Sequence, residues 1–169
     1  MKSFAAVYIG LLISPALVWA GSPNISSTAF DNNAPIPSQY TCDGANINPP
    51  LAFHNIPAKA QSLALTVTDP DAPGRTWTHW ILYNIPPDTK EIPIGSHPGK
   101  QGLNDFGKTA YGGPCPPPGE LHHYIFRLYA LDSVLNIREG ETLSKVDKSL
   151  KGHVIAKAQL TGTYQKKLF

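Results

Sequence analysis

Two proline-bracketed polar segments carry the residues of this chain that can do chemistry. Asp69-Pro70-Asp71-Ala72-Pro73 precedes Trp77-Thr78-His79-Trp80, and Gly112-Gly113-Pro114-Cys115-Pro116-Pro117-Pro118-Gly119 precedes His122-His123-Tyr124. Proline fixes φ and withholds a backbone donor, so such segments form a stiff rim that holds carboxylates and imidazoles in place. A preformed small-ligand pocket is built in this way. Side chains two apart on a strand share a face, so His122 and Tyr124 point together while His123 points away. Asp69 and Asp71, one proline apart, are expected to converge beside His79. The inferred site contains two carboxylates, two imidazoles and a phenol.

Three chemistries compete with a plain structural alternative, in which these groups satisfy one another under the loops. A metal centre would draw on His79, His122 and one Asp, but no His-x-His or His-Glu-x-x-His spacing is present, and adjacent His122 and His123 cannot share one ion without distorting a strand. A hydrolase needs a nucleophile beside a base, and no Gly-x-Ser-x-Gly segment supplies one; Cys115 is flanked by prolines. An anion pocket needs donors, which imidazoles, a tyrosine hydroxyl and loop amides provide, with the carboxylates orienting the imidazoles and raising their basicity. This third reading uses every residue type present. It requires that one Asp face away or pair with a donor, because an unpaired carboxylate repels a bound anion.

The elements that must position these groups are mostly strands. Residues 21–51 read as an opening strand and ordered loops anchored by Ile25, Phe30 and Tyr40. Residues 62–68 alternate Leu63, Leu65 and Val67 against polar and small neighbours, which predicts a strand ending at the first polar segment. Residues 79–85 are aromatic and branched, and Pro86-Pro87 stops them. Residues 88–111 read as a long loop or a set of short strands, and long ordered loops carry function. Residues 122–131 form a third strand with Tyr124, Phe126, Leu128 and Ala130 on one face. Thr142 is placed to cap a helix with Leu143, Val146 and Leu150 as its apolar stripe and Gly152 beyond its end. Residues 154–164 return to strand, with Gly162 expected at a bulge or close approach. The sum is a mainly β domain with a small C-terminal helix.

Composition bounds the function. With 41% hydrophobic and 15% charged residues in 169, the chain fits one globular domain. Residues 1–20 combine Lys2, an almost wholly apolar run and Val18-Trp19-Ala20, which predicts a signal peptide cleaved near Ala20 and leaves residues 21–169 as the mature domain; an uncleaved anchor is the alternative. Export, periplasmic or secreted, follows from cleavage, and no stable membrane insertion remains after it. Lys2 is the only charged residue removed, so the mature chain has a net charge of +1, one less than the +2 of the full chain. That balance argues against a nucleic-acid surface or a polybasic membrane patch. Cys42 and Cys115 are the only cysteines. An oxidising compartment makes a disulfide between them the expectation, against two thiols that never meet.

Several of these motifs together resemble the phosphatidylethanolamine-binding protein (PEBP) family, in its bacterial Raf-kinase-inhibitor-like branch of YbhB/YbcL type. The residues concerned are Asp69-Pro70-Asp71-Ala72-Pro73, His79, and Gly113-Pro114-Cys115-Pro116-Pro117 with His122 and Tyr124. Tyr40-Thr41-Cys42-Asp43-Gly44, Asn104-Asp105-Phe106-Gly107 and the closing Gly162-Thr163-Tyr164 add to it. The resemblance implies an antiparallel Greek-key β-sandwich with a shallow pocket for phosphate or phosphorylated head groups. It implies Asp69, Asp71, Pro73, His79, Pro116, Pro117, His122 and Tyr124 as the pocket, a cis Ala72–Pro73 bond, and a homodimer as in many relatives. The functional expectation is an exported, non-enzymatic binder of a small anionic or phosphorylated ligand, with no cofactor, metal or catalytic residue. The runner-up is a protein-interaction module inhibiting a protease or kinase through residues 88–111, and a metal-dependent hydrolase stands third.

Overall fold

A computed structural model describes residues 21–168. The expected signal peptide lies outside the described residues. Among the described residues no helix is long and apolar enough to cross a membrane.

Two sheets face each other. The smaller has strand order β1-β3-β6, formed by β1 (Asn24–Ser26), β3 (Leu51–His54) and β6 (Glu91–Ile92). The larger runs β2-β9-β8-β4-β5-β7, from β2 (Ala34–Pro35), β4 (Ser62–Asp69), β5 (Trp77–Ile85), β7 (Lys100–Gln101), β8 (Leu121–Leu131) and β9 (Val154–Gln165). The chain leaves β3, forms the β4–β5 hairpin in the other sheet and returns as β6 beside β3, a Greek-key connection. One pairing departs from the antiparallel expectation: β2 lies parallel to β9, with Ala34 opposite Gly162.

The main core fills the space between the sheets. Ile25, Leu51, Phe53 and Ile92 from the small sheet meet Leu65, Val67, Trp80, Leu82, Tyr124 and Phe126 from the large one, all buried. The far face of the large sheet is covered as well: Ala64, Ile81 and Tyr83 pack with Val146 and Leu150 of α1 (Leu143–Leu150). Coverage on both faces explains why β4 is buried at every position although its sequence alternates.

Local signals worked because each had a physical cause. Helix α1 begins after Thr142, yet the Thr142 hydroxyl makes no capping bond; its carbonyl instead accepts the Lys145 and Val146 amides. Gly162 marks a close approach rather than a bulge, since a Cβ there would lie 2.5 Å from Ile36 Cγ1. Residues 88–111 resolve into β6, β7 and loops tied to both sheets. Cys42 and Cys115 are joined by a disulfide with a Cα separation of 5.4 Å.

Candidate ligand-binding site

At one end of the large sheet, β4, β5 and β8 present polar side chains to the inter-sheet face. Asp69 continues the inward row of Leu65 and Val67, and His122 continues that of Phe126 and Tyr124. His79 reaches the same region through a β-bulge. Val67 pairs with Trp80 and Thr68 with Thr78, so His79 is an extra residue between two paired ones. A bulge re-aims the side chain that it carries. Here it turns the imidazole toward Tyr124, with ring centroids 5.1 Å apart and nearly perpendicular.

Backbone clamps hold the bulge. The Gly112 amide donates to the His79 carbonyl at 3.0 Å, and His79 Nδ1 donates to the Gly112 carbonyl at 2.7 Å. Asn104 Nδ2 also donates to the His79 carbonyl, while Asn104 Oδ1 accepts the Phe106 and Lys108 amides and so shapes the adjoining loop. Asp105 accepts the Thr78 amide at 2.6 Å. Phe106 then packs edge-on against both Trp77 and His79. Gly112 is required by this arrangement, because a Cβ would come within 2.5 Å of the Phe106 ring.

The opposite wall is the proline-rich segment, stapled to the chain around the short 3-10 turn Ser38–Tyr40. The Cys42 amide donates to the Pro114 carbonyl, the Gly113 amide to Asn46 Oδ1, and the disulfide closes the junction. Between the walls lies a cavity of about 410 Å³, lined by Asp69, Ala72, Pro73, Trp77, His79, Phe106, Cys115, Pro116, Pro117 and His122.

The two histidines differ in their protons. His122 Nδ1 lies 2.7 Å from Asp69 Oδ2, and its Nε2 lies 3.4 Å from Glu120 Oε2. Both neighbours are carboxylates that can only accept, an arrangement that favours a hydrogen on each nitrogen. Burial disfavours this cation, but the Asp69 hydrogen bond and charge, with help from Glu120 and Asp71, outweigh it and raise the His122 pKa. His79 goes the other way: burial lowers its pKa despite the Gly112 carbonyl and the charges of Asp69 and Asp105. Its proton sits on Nδ1, where a carbonyl can only accept, and among the described residues Nε2 has no hydrogen-bond partner.

Six of the eight sequence-derived site residues line the cavity. Asp71 does not: its carboxylate accepts from the His123 amide and from His123 Nδ1, at 2.8 and 2.7 Å, outside the lining. The proline between the two aspartates sends them apart, while Asp69 Oδ1 takes up the Asp71 amide. Tyr124 lies beneath the cavity, fully buried, with a hydroxyl that has no hydrogen-bond partner among the described residues. Burial and the nearby Asp69 charge raise its pKa, so it stays a phenol. The Ala72–Pro73 bond is trans, contrary to the expectation carried by resemblance, and the described residues contain no cis peptide; trans is the lower-energy isomer. Sequence reasoning missed Glu120, Trp77 and Phe106. Glu120 was within reach of the same period-two argument that paired His122 with Tyr124.

A two-sheet sandwich with a preformed cavity at one sheet end defines an all-β ligand-binding class. Comparison with known proteins then places the chain within that class. The family described as phosphatidylethanolamine-binding protein matches residues 26–165, and the chain belongs to it. A UPF0098 protein of Methanothermobacter thermautotrophicus is 46% identical, covering 85% of this chain and 99% of its own. Among solved structures, a PEBP homologue of Chlamydia trachomatis superposes with a TM-score of 0.83 at 42% identity, covering 86% of this chain and 99% of its own. Escherichia coli YbcL, described as a new member of the mammalian PEBP family, gives 0.81 at 31%, with coverage of 87% and 100%. These neighbours put the chain in the bacterial YbhB/YbcL-type branch.

Proposed function

We propose that this chain is a non-enzymatic, exported binding protein for a small anionic or phosphorylated ligand, of phosphate or phosphorylated head-group type, held in the His79–His122 cavity. The observation that carries the reading is His122, whose Nδ1 is anchored by Asp69 and whose Nε2 stands at the cavity with only an exposed Glu120 carboxylate near it. Asp69 is the pairing carboxylate and Asp71 is turned away, which removes the repulsion that two free carboxylates would create. The proline walls contribute shape without backbone donors, so the imidazolium supplies the attraction. The disulfide, with Cys115 exposed and Cys42 half-buried, supports residence in an oxidising compartment.

The test is calorimetric titration of residues 21–169 with inorganic phosphate and phosphoethanolamine at pH 6 and pH 8, beside the His122→Ala variant. Saturable binding that weakens at pH 8 and is lost in the variant is expected. Binding that survives in the variant would place the ligand elsewhere.

A further inference from the structure

The cavity offers a ligand one donor and one acceptor, and these differ in kind. In its cationic form, favoured by the carboxylates beside both of its nitrogens, His122 brings a protonated Nε2. His79 brings a bare Nε2, because its single proton is committed to the Gly112 carbonyl at 2.7 Å. That lone pair is unused by the described residues. Although the residue is only 3% exposed, Nε2 is not among the sealed, unpartnered atoms, so it opens to the cavity that His79 lines. Three of the other wall residues, Pro73, Pro116 and Pro117, have no amide hydrogen to give. The charged groups around His79 are Asp69 on β4 and Asp105 in the loop after β7, both carboxylates, with the His122 cation on β8 held by Asp69. No second cation faces the cavity among its lining residues.

A fully ionised oxyanion suits such a site poorly. It can accept from His122, but it also puts an oxygen lone pair against the lone pair of His79. A phosphate bearing one hydrogen satisfies both nitrogens: P–O⁻ accepts from His122 Nε2 and P–OH donates to His79 Nε2. Building on the anion-binding reading above, we propose that the cavity selects the proton-bearing phosphate of a monoester or of free hydrogen phosphate, and discriminates against phosphodiesters and sulfate. The phosphate inside a glycerophospholipid is a diester without P–OH, so this selection points away from an intact membrane lipid and toward a phosphorylated small molecule or free phosphate.

Methyl phosphate and dimethyl phosphate separate the two cases, since at pH 6 a large share of the former is a monoanion with one P–OH, whereas the latter is a monoanion with none. Calorimetric titration of residues 21–169 at pH 6 with methyl phosphate, inorganic phosphate, dimethyl phosphate and sulfate is expected to show the first two binding about tenfold or more tighter than the last two, the cost of an unmet buried acceptor. The ratio between methyl phosphate and inorganic phosphate assigns the source, ester or free phosphate. His79→Phe keeps an aromatic ring against Tyr124 and Phe106 but removes the acceptor, so it should erase the discrimination, bringing the affinity ratio of methyl phosphate to dimethyl phosphate down to about one. Should that variant fail to fold, ¹⁵N chemical shifts of wild-type His79 read the bare Nε2 directly. Equal affinity for all four probes, or a protonated His79 Nε2 in the free protein, overturns the selection while leaving an anion site. Absence of binding by any probe overturns the selection together with the reading beneath it.

Discussion

At the scale of single residues, the site is set by which carboxylate each imidazole meets. Asp69 and His122 are both buried, at 5% and 4% side-chain exposure, whereas Asp71 and His123 are at 40% and 48%. The two aspartates, alike in sequence, therefore do unlike work. Asp71→Ala removes an exposed pair, so it should change stability by less than about 1 kcal/mol and leave phosphate affinity intact. Urea denaturation and calorimetry check both, and a variant that loses phosphate binding would put Asp71 back in the site. Glu120 has the opposite signature: its carboxylate sits beside the one donor an anion needs. Glu120→Gln removes that competing charge and should tighten phosphate binding roughly fivefold, about 1 kcal/mol, read as a lower Kd; unchanged or weaker binding would show that Glu120 does not compete. The sequence spacing revealed the common face of His122 and Tyr124, but not that Tyr124 lies beneath the cavity, because depth depends on what packs above a strand and not on its period.

At the scale of elements, the bulge in β5 and the disulfide-stapled wall decide the cavity's shape. Strand positions were legible from branched and aromatic runs ended by proline, and Gly162 from its isolation inside a strand. The bulge at His79 was not, because it is defined only by register against β4. The wall makes a testable unit. Cys42 and Cys115 enclose a long loop of sequence separation 73, for which chain entropy predicts about 4.4 kcal/mol and measured bridges give roughly 2–4 kcal/mol. Replacing both by serine should lower the unfolding free energy by about that smaller amount and weaken phosphate binding, because Pro116 and Pro117 then lose their covalent tie to Cys42 and are held by hydrogen bonds, among them Cys42 to Pro114, Gly113 to Asn46 and Glu120 to Pro117. Equal urea midpoints with and without reductant would show that the bridge adds nothing. The cis Ala72–Pro73 expectation failed at this scale: turn composition identifies a rigid corner but does not choose the isomer of its prolyl bond.

At the scale of the molecule, the fold class was legible because most strands carry their own signals. The burial of both faces of the large sheet was not, since it depends on where the helix after β8 returns. The same end of the sheet gives the folded state two opposed proton linkages. His122 has a folded pKa raised above the ordinary 6.5. Its stabilising contribution is complete below that value and is lost as pH rises through the folded pKa. His79 has a folded pKa lowered from 6.5, so its contribution is complete above 6.5 and is lost as pH falls through the folded value. Asp71 and Asp105, both depressed from 3.8, add stability that is present above 3.8 and disappears only in stronger acid. Between about pH 4.5 and 8.5, two units either side of the histidine value, the two terms act on opposite sides of 6.5, so together they give the wild-type profile a maximum near 6.5 with a fall in each direction. Single variants should each remove one side of that maximum: His122→Asn leaves the His79 limb, with stability rising as pH increases toward 6.5 and level above it, and His79→Gln leaves the His122 limb, with stability level below 6.5 and falling above it. Urea unfolding of the three proteins across that range measures the slopes. If both variants keep the wild-type profile, the two rings do not hold opposite protonation states in the folded chain, and the donor–acceptor asymmetry of the cavity falls with them.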